Sequence, residues 1–154
     1  KSYRLEVIEQ AGKHKVELAG GSKIRLIVTA NTSTESRLTL LNEWHREQLK
    51  QLIPKLLEKW QAKIGVVTND WGVKKMKTKW GSCTPSKNSI RINLELAKKY
   101  PECLEYIVVH EMVHLLEPSH NKRFVALMNN YLPKWRSHRD ELNRLPVRHE
   151  EWKY

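Results

Sequence analysis

At 154 residues with 40% hydrophobic content, the chain is long enough for one compact domain with a core of its own. It contains no apolar run of about 18 residues, which excludes a helical membrane span. The formal net charge of +11 points to an anionic partner, nucleic acid first and a phosphorylated or acidic substrate second, against the plainer reading of a basic surface.

Cys83 and Cys103 are too few and too far apart for a disulfide framework or a close-spaced metal site, and they read as reduced thiols in a cytoplasmic protein. The chain opens on Lys1 without a Met, so it reads as a single domain over residues 1–154 that is trimmed at its N-terminus.

In chain order, Tyr3, Leu5 and Val7 alternate, as do Val16 and Leu18, and Gly20-Gly21 turns into Ile24, Leu26 and Val28. This predicts a small antiparallel meander. Asn31-Thr32-Ser33-Thr34 reads as a helix start, followed by Leu38, Leu41, Leu49, Leu52, Ile53, Leu56 and Trp60 at helical spacing. Pro54 within that run predicts a kink or two successive helices, and Gly65 ends it. Candidate strands or strand-like loops follow over 66–73 and 73–79, then turn chemistry from Trp80 through Asn88, then a short strand from Ser89 to Asn93. Pro101 opens a helix to about Leu116, and further helices are expected at about 121–131 and 135–145. The charged tail from Pro146 is expected to fray.

The chemistry centres on His110-Glu111-Met112-Val113-His114. Residues four apart on a helix share a face, so both imidazoles can reach one metal ion while Glu111 projects beside it toward a metal-activated water. Leu104, Val108, Met112 and Leu115 would form the opposite, core-facing stripe. On a continuous helix His120 would point away, but Pro118 forces the chain to turn and Ser119 can cap the next helix, returning His120 to the metal. The spacing His110-x3-His114-x5-His120 equals that of the metzincin proteases, although Glu117 stands where those enzymes carry Gly. The competing reading is of ordinary polar residues on a solvated helix face, and Glu141 is a rival third ligand.

Three neutral imidazoles leave one coordination position open, the arrangement of a catalytic zinc. Such an ion brings the pKa of water to about 7, within reach of Glu111 as general base.

Taken together, Met76-Lys77-Thr78-Lys79-Trp80-Gly81-Ser82-Cys83, Ile90-Arg91-Ile92-Asn93, Val109 through Leu115 and His120-Asn121-Lys122-Arg123-Phe124 resemble the YgjP-like metallopeptidase family, related to the SprT-like and WLM groups. The resemblance implies an α+β fold with a minimal zincin-like core: a small, mostly antiparallel sheet packed on an active-site helix and further helices. It implies one Zn(2+) per chain on His110, His114 and His120, with Glu111 as the base. The family's first strands are missing here, consistent with trimming.

Around that centre, Gly81 permits close backbone approach to a substrate or to the helix, and Ser82 can donate a hydrogen bond; a structural turn with Trp80 plugging the core is the alternative. The strand ending at Asn93 is a candidate edge for pairing with an extended peptide. Arg123 is a candidate oxyanion stabiliser, with Tyr131 and His138 as rivals that also read as packing or surface residues. Lys74, Lys75, Lys77 and Lys79 beside Trp71 and Trp80 mix cations with aromatics, as single-strand nucleic-acid grooves do, though alternating Lys is also how a solvated strand face reads. Three functions follow: a zinc metallopeptidase, a zinc-dependent nucleotide or phosphoanhydride hydrolase, and a nucleic-acid-binding module with a zinc domain.

Overall fold

The computed structural model describes residues 3–144 and 152–154; the charged stretch from Pro146, with His149, falls outside them. Among the described residues the order is β1 (Arg4–Glu9), β2 (Lys15–Ala19), β3 (Lys23–Val28), α1 (Thr34–Ile64), β4 (Asp70–Lys74), β5 (Gly81–Thr84), β6 (Ser89–Asn93), α2 (Pro101–Val113), α3 (Lys122–Tyr131) and α4 (Trp135–Arg144). Short 3-10 turns occupy Pro85–Lys87 and Leu94–Lys98. The fold is α+β, as expected, but the strands form two three-stranded mixed sheets, ordered β1-β3-β2 and β4-β6-β5, not one antiparallel sheet.

The expected meander is therefore corrected. β2 and β3 do form an antiparallel pair across Gly20, but β1 lies parallel to β3 on its other side. The reason is burial: Ile24, Leu26 and Val28 are the most apolar row of the three, so β3 takes the centre and its neighbours keep Leu5, Val7 and Leu18 exposed.

α1 is one helix of 31 residues. Ser33 caps its start by accepting from the Ser36 amide, and Gly65 closes it in the left-handed region at φ 81°. Pro54 does not split it. Its ring sits on the exposed face, while His45, Leu49, Ile53, Leu57, Trp60 and Ile64 continue one buried stripe past it.

The turn reading of 80–88 holds only for Pro85 through Asn88, where Asn88 takes φ 47°. Gly81–Thr84 is a strand instead, antiparallel to β6, because Trp80 is anchored in the core and the small residues after it fit between β6 and α2. Of the segments 66–73 and 73–79, read as strands or strand-like loops, Asp70–Lys74 is strand and the remainder is not.

α2 also departs from expectation. It has no solvent face: from Cys103 to Val113 every residue but Glu105 is buried. A helix apolar all round belongs at the centre, and α1, β5, β6, α3 and α4 surround it. No described helix is long and apolar enough to cross a membrane.

Candidate metal centre

The three histidines converge. His110, His114 and His120 each bring a ring nitrogen within 4.8 Å of the others, and they form the sole such His/Cys/Asp/Glu group among the described residues. Helical spacing brings the first two together, with ring centroids 4.8 Å apart. After Glu117 the chain turns, and His120 returns so that its Nε2 lies 2.9 Å from Nε2 of His114. Asn121, not Ser119, caps the next helix: its side chain accepts from the Phe124 amide.

Two of the imidazoles are held in one tautomer. His110 Nδ1 donates to Glu111 Oε2 at 2.9 Å, and His114 Nδ1 donates to the Glu117 carbonyl at 3.1 Å. Each bond leaves Nε2 as the unprotonated nitrogen of its ring, with a lone pair to offer. His110 Nε2 is completely buried and has no hydrogen-bond partner, which is costly unless something accepts that lone pair. A metal ion fits this donor set: three nitrogens and no thiolate. Burial, then the charge of His110, holds His114 below the usual histidine range; burial, then His110 and His114, brings His120 down to about 4. Neutral imidazole is the ligating form.

Glu111 is 2% exposed, and β5 lies directly over it. A Cβ added at Gly81 would sit 2.7 Å from Ile107 Cγ2 and 2.9 Å from Glu111 Oε2, so only glycine lets this strand approach the helix so closely. Trp80 is buried in the core, and Ser82 is half-buried at the following position of β5. Cys83, on the same strand, is a protonated thiol: burial, then the charge of Glu111, pushes its pKa up to about 12.

Other candidates lie elsewhere. β6 is the central strand, so it cannot be the edge that meets a peptide; the edges are β4 and β5. Asn93 is fully buried, and its Nδ2 donates to the carbonyls of Met76 (3.2 Å) and Lys79 (2.6 Å) while Oδ1 accepts from the Glu95 amide (3.0 Å). It shapes the basic loop. Arg123 is exposed and pairs with Glu117 at 3.2 Å, bracing the turn before His120. Glu141 pairs with Arg144 at 3.0 Å, outside the histidine group. Tyr131 packs edge-on to Trp60, and the His138 ring lies 6.2 Å from that of Tyr106.

Sequence reading missed one part of the site. Trp152 and Tyr154 lie against it, their rings 5.0 Å from His110 and 4.3 Å from His120. Neither the spacing nor the periodicity of the sequence links them to these histidines.

The architecture resembles the metallopeptidase zymogen of Pyrococcus abyssi abylysin, with a TM-score of 0.55 at 18% identity over 60% of this chain and 94% of that one. The metallopeptidase zymogen of Methanocaldococcus jannaschii jannalysin aligns at a TM-score of 0.43 and 25% identity, over 62% of this chain and 88% of that one. No curated protein matches. The YgjP-like metallopeptidase domain model, by contrast, matches residues 1–145, and the chain belongs to that family of hydrolases.

Proposed function

We propose that this chain is a zinc-dependent metallopeptidase in which His110, His114 and His120 hold one Zn(2+) and Glu111 is the general base. The observation that carries the reading is the convergence of three imidazoles, with the Nε2 of His110 buried and partnerless among the described residues and a buried carboxylate beside that ring. An ion held there would supply Lewis acidity that acidifies water and polarises a carbonyl. Glu111 spends Oε2 on His110, which leaves Oε1 to take a proton from the attacking water and return it to the departing amine.

The edge of β5, unpaired among the described residues, supports an extended peptide as substrate. Added as a further strand, it would run past Gly81 and so past Glu111. Cys83 and Cys103 are both free, which supports a reducing compartment such as the cytoplasm, and residues 1–154 read as one domain.

A second partner is favoured by one observation. Lys74 at the end of β4, and Lys75, Lys77 and Lys79 on the following loop that Asn93 holds in shape just ahead of β5, are exposed and pair with no carboxylate among the described residues. This supports an anionic flank on the substrate or on nucleic acid that carries it.

A peptide library and a panel of nucleoside triphosphates, assayed side by side with the zinc-loaded chain, test the reading. Cleavage of peptides alone is expected, faster at low salt than at physiological salt. Hydrolysis confined to the triphosphates would replace the peptidase reading with the phosphoanhydride one.

A further inference from the structure

We infer that the segment Trp152–Tyr154 is a working part of the metal centre, with Tyr154 as the positioning residue for His120. This rests on the proposal that the three histidines hold zinc.

The three ligands are not supported alike. The Nδ1 atoms of His110 and His114 are anchored by Glu111 and by the Glu117 carbonyl. The Nδ1 of His120 makes no hydrogen bond among the described residues, and this histidine is the exposed one of the three. A ligand on a turn with a free ring would swing, and the ordering would be lost from the binding free energy. Rings fix it instead. Tyr154 stacks on His120 at 4.3 Å with 13° between the planes, and Phe124 meets it edge-on at 5.0 Å.

Tyr154 is in turn placed by Trp152, two residues before it. The Trp152 amide donates to Asn143 Oδ1 (2.7 Å), Asn143 Nδ2 donates to the Trp152 carbonyl (2.8 Å), and the indole Nε1 donates to the buried hydroxyl of Tyr106 (2.9 Å). Tyr106 belongs to α2, one turn before His110. The helix that carries His110 and is capped by His114 therefore also anchors the segment that orients His120.

The test is zinc affinity by chelator competition, together with the melting temperature of the metal-free chain. Tyr154→Phe keeps the stack and is expected to bind zinc as the parent does. Tyr154→Ala is expected to bind it about 10-fold or more weakly, within the range for loss of a ligand's supporting partner, with an unchanged metal-free melting temperature. Asn143→Ala, which frees Trp152 without removing a ring, should also weaken zinc. Parent-like affinity in Tyr154→Ala or in Asn143→Ala overturns the inference, as does equal weakening in Tyr154→Phe. A parent chain that binds no zinc would instead sink the metal reading beneath it.

Discussion

Glu111→Gln is expected to retain zinc and to lose about 10²–10⁴-fold in peptide hydrolysis, the usual worth of a general base. The glutamine side-chain oxygen can still accept from His110 Nδ1, where Glu111 Oε2 now does at 2.9 Å, so the His110 tautomer and its unprotonated Nε2 are preserved. What disappears is a basic oxygen able to take a proton. Glu111→Ala removes both the base and the His110 anchor, so it should weaken metal binding as well as abolish turnover. Zinc content and kcat measured on both variants separate the two roles. Undiminished kcat in Glu111→Gln would remove Glu111 as the base.

Gly81→Ala is expected to destabilise the fold by about 1–3 kcal/mol, the usual cost of overpacking, and to depress kcat/KM with it. The new methyl would lie 2.7 Å from Ile107 Cγ2 and 2.9 Å from Glu111 Oε2. Neither neighbour has room to retreat, since Ile107 is fully buried and Glu111 is buried and held by His110. Relief must come from β5 lifting off α2 or from the carboxylate moving. Either change separates the base from the proposed substrate edge. Urea unfolding alongside peptide kinetics checks this, and parent-like values in both would show that the strand does not need its close approach.

How much of this the sequence disclosed follows from how local each feature is. His110 and His114, the first two proposed ligands, are four residues apart and the third follows a proline turn, so helix geometry and Pro118 suffice to bring them together. Strand partners are set by distant choices. Tyr3, Leu5 and Val7 mark a strand, but nothing in their alternation says that it pairs parallel to β3. Residues 81–84 resemble a turn because Gly, Ser, Cys and Thr are small and polar, and smallness is what packing against α2 requires there. Asn93 looks like a polar strand end open to a ligand, whereas its amide is spent inside the protein on Met76 and Lys79. Trp152 and Tyr154 were beyond reach, since only the folded chain brings residue 154 to residue 120.

The most direct measurement is zinc stoichiometry in the purified chain and in His110→Ala, His114→Ala and His120→Ala. One equivalent of zinc in the parent and its loss, with all peptide hydrolysis, in each single variant is the predicted result. A parent chain that takes up no zinc, or a His120→Ala variant that keeps both its metal and its activity, would contradict it.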